Sequence, residues 1–440
     1  MSYPKLCAFF LVVLVACGFL GQRPAAAAPD ARSPPPVVHL ALADVIRLSV
    51  LRDPQIQVAL ANVKIAQGAY TTASLLPNPG FTVDRVFGAL PGRPFSEQRP
   101  GGPTQYDFVV NYQIDTLLFG KRSAAMESAR RAVEVATANH ADVIRQRVLD
   151  AIGAYYDVLQ TKMELDLARD AETQAQRLRD ITRSRVALGS VGSIEADRTE
   201  LAVLSANREQ LRARAEVDKA RARLRARVAW RPDEPDVDVV GDLEIIAPRP
   251  PPPLAIALER AERARPDFLA SQRSVELASA NLAAQRALAF PQLTIGTGLS
   301  YQQQIGVPDA PGWQIALSGT IPLFDRNQGN IAGARAGVQQ AHEQLRADRL
   351  ALRADVEQAL REYQVSYDIV SKDDAPTLSA AAAARDKVQE SYRLGGRTLL
   401  EVLDAQQAYR DAYRLSIEAR AGYFKALHAI NAAVGNQVLP

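Results

Sequence analysis

The sequence predicts a mainly α-helical fold with a membrane β-barrel part: internally duplicated long helical hairpins plus four strands per chain. Three observations carry that prediction. Pro54 to Asp84 and Pro266 to Thr297 share one layout, an Ala-rich amphipathic run that passes a proline, Pro79 or Pro291, and becomes an alternating strand. Each such strand has a partner that is greasy on one face and wet on the other. Finally, Lys121 to Ala187 holds no proline and one glycine, Gly153, so a helical pattern runs for 67 residues.

The order of elements starts with residues 1–28. Met1 to Lys5, Leu6 to Leu20 and Ala25 to Ala28 have the charge, apolar core and small-residue exit of a secretory signal peptide. An alternative cleavage lies before Cys17, where Leu14-Val15-Ala16-Cys17 resembles a bacterial lipobox and would leave Cys17 lipid-modified. Both cysteines, Cys7 and Cys17, fall in this segment. The mature body then has no disulfide, cysteine metal site or cysteine nucleophile. No later stretch is long and apolar enough to span a bilayer as a helix, so membrane residence belongs to the strands.

Residues 38–230 form the first repeat. Its strands fall at about 81–88 and 105–115, and in the second of these Tyr106, Phe108, Val110, Tyr112 and Ile114 alternate with Asp107, Asn111, Gln113 and Asp115. A half-exposed soluble sheet shows the same alternation, as does a barrel strand with lipid outside and water inside. The accompanying signal peptide and long helices decide for the barrel. The smallest closed bacterial barrels have about eight strands, so four per chain require further copies.

The 67-residue helix keeps an apolar stripe at Val148, Ile152, Tyr155 and Leu159 and would extend about 100 Å. Ala125, Ala129, Ala132 and Ala136 allow close helix approach, or serve as plain helix formers. Leu188-Gly189-Ser190-Val191-Gly192-Ser193 reverses the chain, with Ser193 as N-cap of a helix returning to about Arg227. Residues 231–253, rich in Pro and Asp, read as an irregular linker. The second repeat, 254–440, carries strands at about 292–302 and 312–321. A helix from Asn327 to about Val370 follows, then a break permitted by Pro376, resumption toward Leu394, a turn at Gly395-Gly396, and a last helix from Thr398 to about Val434.

Composition excludes several function classes. With 52 basic and 49 acidic side chains the net charge is +3, which gives no electrostatic case for nucleic acid, and Arg221 to Arg227 reads as a solvated helical face. The histidines His39, His140, His342 and His428 are isolated from one another and from cysteine, so no metal site is expected. No phosphate loop, Gly-x-Ser-x-Gly elbow or His-Glu-x-x-His run is present, so neither an enzyme nor a cofactor is expected.

Three segments carry a resemblance: Leu75-Leu76-Pro77-Asn78-Pro79, Ile321-Pro322-Leu323-Phe324-Asp325-Arg326-Asn327-Gln328-Gly329-Asn330, and Tyr392-Arg393-Leu394-Gly395-Gly396-Arg397-Thr398-Leu399-Leu400-Glu401-Val402-Leu403-Asp404. Through them, the chain from about His39 to Val434 resembles the TolC-type outer-membrane efflux proteins. The resemblance implies a homotrimer in the outer membrane, reaching into the periplasm, with twelve strands closing one β-barrel and twelve helices one α-barrel. It implies the exit duct of a tripartite pump, with a periplasmic adaptor and an inner-membrane RND transporter as partners. The short second hairpin loop and the Phe324 to Asn330 run are most similar to outer-membrane factors of cobalt-zinc-cadmium and copper-silver resistance systems. Ducts for multidrug efflux and type I secretion share the scaffold and stand as alternatives. A periplasmic coiled-coil adaptor or scaffold would share the helices but leave the strand polarity unexplained.

The same resemblance assigns a gate. Arg397 matches a gate-holding arginine, Tyr392 its tyrosine companion, and Glu195 an acidic partner on the other hairpin. Glu401 and Asp404, on one helical face, match paired acids that line the constriction, with Glu401 standing where Asp is expected. As helix-start acids they also suit the helix dipole without any gate. The turns Leu188, Gly189, Ser190, Leu394, Gly395 and Gly396 are the expected docking surface for the adaptor, although glycine also serves there as an ordinary helix terminator.

Overall fold

The computed structural model describes residues 37–86, 104–245, 247–303 and 310–436, together with Ser96 and Gln98. The expected signal peptide with Cys17 and residues 87–88 of the first predicted strand lie outside the described residues. The first repeat opens with β1 (Val37–Leu40), α1 (Leu42–Arg52) and α2 (Pro54–Ser74). The α1/α2 corner is set by Pro54 at the first helical position and by Asp53, whose carboxylate accepts the Gln55 N–H at 2.7 Å. Strands β2 (Gly80–Val86) and β3 (Thr104–Gln113) follow, then a short α3 (Asp115–Leu118). The long α4 (Lys121–Ala187) and α5 (Ser193–Arg227) complete the repeat. After β4 (Asp236–Val239) come α6 (Leu254–Ala264), α7 (Pro266–Ala287), β5 (Gln292–Gln303) and β6 (Ala310–Thr320). The chain ends with α8 (Gln328–Asp368), a π-helical turn Ile369–Asp373, α9 (Asp374–Arg393) and α10 (Leu399–Val434).

The four long strands make one antiparallel sheet in the order β2-β3-β5-β6. Its register sets Tyr106 against Tyr301, Phe108 against Leu299, Leu299 against Trp313 and Ile295 against Leu317, all on one face. The opposite face pairs Asp84 with Asp107 and Asn111 with Gly296, and the Asn111 amide donates to Thr82 at 2.9 Å. Among the described residues nothing covers the apolar face, with Phe81 79%, Trp313 70% and Leu317 68% exposed. Gly298 permits the close β3–β5 approach, since a side chain there would collide with the Phe108 carbonyl.

Four expectations need correction. Strand β3 stops at Gln113, so Asp115 belongs to α3 and not to a wet strand face. Its carboxylate is buried against the Lys121 ammonium at 2.7 Å, and Lys121 also donates to the Pro291 carbonyl at 2.9 Å. A buried cation of this kind needs both partners, and they bind the start of α4 to the base of β5. The linker 231–253 is not wholly irregular, because β4 within it pairs in parallel with β1. Val237 and Val239 on β4 are buried, and Tyr155 donates to the Val240 carbonyl at 2.6 Å. The helical break falls at the π-helical turn, ahead of Pro376. Pro376 then occupies the first turn of α9, where a missing N–H costs no helical bond. Ser193 is the first helical residue of α5, and Gly192, in extended conformation, is its N-cap.

Burial organises the helices in three places. One core joins Leu40, Val45, Tyr155, Val158, Leu224 and Val239 around the middle of α4. A second, in the other repeat, joins Phe268, Val356, Tyr363, Tyr423 and Ile430. Tyr363 donates to the Arg249 carbonyl at 2.8 Å, and the Arg249 N–H donates to Tyr423 at 3.1 Å, so each repeat fastens one end of the linker. The third core is small and lies at the far ends of the helices, where Leu178 meets Tyr392, Leu399 and Val402.

Candidate gate at the helical tips

Both hairpins turn with the same backbone. Gly189 and Gly395 have φ of 69° and 83°, a left-handed conformation that glycine adopts without Cβ strain. In the first turn Gly189 N–H donates to Val186 and Ser190 N–H to Arg185; in the second Gly395 N–H donates to Tyr392 and Gly396 N–H to Ser391. These bonds satisfy the last carbonyls of α4 and α9. Leu188 and Leu394, at matching places, are 80% and 79% exposed, so each turn presents a leucine to its surroundings.

Tyr392 is the hub of the tip. Its ring is buried, and its hydroxyl donates to the Glu195 carboxylate at 3.3 Å and lies 3.1 Å from the buried Thr182 hydroxyl. The Arg185 guanidinium stacks 4.4 Å from the ring centroid, and its Nη1 donates to the Tyr392 carbonyl at 3.1 Å. Two of the expected gate residues, Tyr392 and Glu195, are thus brought together across the two hairpins. Thr182 and Arg185 complete the group, and sequence reasoning missed both. A signal existed, since Thr182 and Arg185 stand four and seven residues after buried Leu178, on the same face of α4.

Arg397 sits elsewhere. Its Nη1 donates to Glu401 at 2.6 Å within the same turn, and not to Glu195. The Glu401 carboxylate also accepts the Thr398 N–H at 2.8 Å and the Thr398 hydroxyl at 3.0 Å, closing a capping box at the start of α10. The Thr398 backbone bond, then Arg397 and the Thr398 hydroxyl, hold the Glu401 carboxyl below its ordinary value of 4.5. Asp404, one turn on, is exposed and has no hydrogen-bond or ion-pair partner among the described residues. Further up, a groove of about 530 Å³ runs between α4, α5 and α10, lined among others by Glu209, Gln406, Arg410 and Arg414. Among the described residues no cluster of three His, Cys, Asp or Glu is placed to hold a metal, and no helix is long and apolar enough to cross a membrane.

The model of the outer membrane efflux protein family matches residues 45–229 and 257–436. The cobalt-zinc-cadmium resistance protein CzcC of Cupriavidus metallidurans is 27% identical over 291 residues, which is 66% of this chain and 68% of that protein. The solved outer-membrane channel OprN superposes with a TM-score of 0.75 at 21% identity, covering 90% of each chain. CusC, solved in a study of transmembrane channel formation, gives 0.74 at 18% identity, covering 94% of this chain and 98% of that one. Twofold matching of the family model, once per repeat, agrees with the duplicated hairpins. The chain belongs to the outer membrane efflux protein family, whose members are passive channels and not enzymes.

Proposed function

We propose that this protein is the exit duct of a tripartite RND-type efflux system, passively conducting heavy-metal cations from a periplasmic adaptor and an inner-membrane transporter to the exterior. The observation that carries the duct reading is the four-stranded sheet. Its apolar face is exposed, and among the described residues β2 and β6 each pair on one side only. In hydrocarbon every unsatisfied backbone group costs several kcal/mol, so such edges must be closed by other copies. Three chains supply twelve strands, within the range of natural barrels, and the hairpins of α4, α5, α8, α9 and α10 then continue the bore below it. The likeness to CzcC supports metal cargo. In a trimer Glu401 and Asp404 would form two stacked rings of carboxylates, which favour cations and resist anions. The turns at Leu188–Ser190 and Leu394–Gly396 are the adaptor's docking surface in this reading.

The test is growth of a deletion strain, with and without the complementing gene, on graded zinc, cobalt, cadmium, copper and silver beside organic antibiotics and dyes. Hypersensitivity to metals alone is the expected result. Hypersensitivity to drugs alone would overturn the metal cargo and move the protein to multidrug efflux.

A further inference from the structure

The groove between α4, α5 and α10 holds a cation that the chain itself does not neutralise. At about 530 Å³ it falls within the range of small-molecule pockets, and Leu167, Ala168, Ala171 and Ala206 give it an apolar lining. Its charged liners are Glu164, Glu209, Arg212, Glu216, Arg410 and Arg414. The carboxylates all have donors. Glu216 takes the Lys219 ammonium at 2.7 Å, Glu209 is shared by Arg414 at 3.6 Å and Arg212 at 3.9 Å, and Glu164 accepts the Gln160 amide at 2.9 Å.

Arg410 differs from these. Among the described residues no carboxylate pairs with it, and its hydrogen bond runs from Nη2 to the neutral Gln407 Oε1 at 2.5 Å. Gln407 is in turn tied to Asp411 at 2.9 Å. Burial pushes the pKa of Arg410 below the ordinary arginine value, as expected of a guanidinium drawn out of water without a counter-charge. Gln406, four residues before Arg410 on the same face of α10, lines the groove too. It is 6% exposed, and its Nε2 has no hydrogen-bond partner among the described residues. A buried donor left unmade is costly, and here it stands beside a cation whose fork is not spent on an acid.

A guanidinium fork receives a carboxylate or a phosphate bidentately, and the Gln406 amide can add a further N–H. Phosphate alone would leave the alanine-lined wall wet, whereas an organic acid sets its charge at Arg410 and its apolar body along that wall. We infer that Arg410 and Gln406 form a binding site for an organic carboxylate, seated in the groove between α4, α5 and α10. This site goes beyond the duct reading and does not depend on how the sheet closes.

The experiment is calorimetric titration of the full-length protein, purified in detergent, with naphthoate, its neutral isostere naphthamide and inorganic phosphate, each also titrated into protein-free micelles. Wild type should bind naphthoate at least about tenfold more tightly than naphthamide, with phosphate weaker than naphthoate. Arg410→Gln should remove the preference for the acid, Arg410→Lys should keep part of it, and Gln406→Leu should weaken naphthoate severalfold. Helical circular dichroism reports folding of the variants, and the wild-type comparison of acid with amide needs no variant at all. Equal binding of acid and amide by wild type, or an unchanged preference in folded Arg410→Gln, would overturn the site. Phosphate binding as tight as naphthoate would overturn the organic ligand. No binding of naphthoate by folded wild type would overturn the inference as well, and would leave a carboxylate from a second copy of this chain as the partner of Arg410.

Discussion

At the first hairpin turn Gly192 precedes α5, and at the matching place in the second turn Thr398 precedes α10. The backbones agree, but the glutamates three residues on behave differently. Thr398 draws Glu401 into a capping box, where Arg397 also holds it. Gly192 has no side chain to offer, Val191 stands where the second turn has Arg397, and Glu195 reaches instead to Tyr392 on the other hairpin. The first tip therefore spends its carboxylate on linking the hairpins, and the second keeps its carboxylate at the helix start. Asp404 continues that second acidic face, whereas the first turn has Arg198 at the matching place. One turn thus links the two hairpins through its carboxylate, and the other caps its own helix.

The largest expected effect comes from the link between the hairpins. Tyr392→Ala removes a fully buried ring, a change that costs about 3–5 kcal/mol in a packed core, and it should open the tip and raise single-channel conductance severalfold. Val186→Ala, at the matching place on the first hairpin, removes a half-buried valine and should leave conductance nearly unchanged. Equal effects would break the comparison. Next comes the cap. Thr398→Ala should cost α10 about 1 kcal/mol and release Glu401, measured as earlier thermal loss of helical circular dichroism. Gly192→Thr should do the reverse at the first tip, capturing Glu195 in a box of its own and weakening its bond to Tyr392, seen as raised conductance without lost stability. Third, Arg397→Ala leaves Glu401 with less positive charge nearby, so like-charge repulsion among copies should raise conductance and strengthen cation preference. Unchanged reversal potentials would count against any role of Arg397 in the carboxylate rings.

The smallest effect is a pH dependence. The folded pKa of Glu401 lies below its ordinary value, so its contribution to the α10 cap is complete above about pH 4.5 and is lost as pH falls through the lowered value. Cation selectivity carried by Glu401 should thus persist below pH 4.5, and a loss already complete at that pH would contradict the local hold by Thr398 and Arg397.

Features set by local chemistry were legible in the sequence. The ends of α4 are fixed by Gly120 on one side and Leu188-Gly189 on the other, and they lie where the proline-free stretch predicts. Strands β5 and β6 follow from strict alternation, and the structure moves their ends by only a residue or two. By contrast β1 and β4 are four residues each and define one another only through a parallel pairing nearly 200 residues apart, which no local pattern announces. The π-helical turn was hidden because Pro376 offered a more obvious break, yet buried Asp374, held by Arg420 at 2.8 Å, marks where the register shifts. At the tip, Tyr392 and Glu195 were both singled out through a resemblance as companions of Arg397, and the two are hydrogen-bonded to each other. Arg397 was matched to a gate-holding arginine by the same route, and its partner is Glu401, one turn on in α10. Arg185, four residues before Gly189, took the cation's place on Tyr392.

In the proposed function the sheet closes in lipid into a cation-preferring duct whose tip is held by Tyr392. Planar-bilayer recording of the purified full-length protein tests it most directly, comparing wild type, Tyr392→Ala and the double variant Glu401→Gln with Asp404→Asn. Wild type should give discrete current steps with a cationic reversal potential, Tyr392→Ala larger steps, and the double variant a reduced cation preference. Folded, membrane-inserted protein that passes no current even as Tyr392→Ala would contradict it.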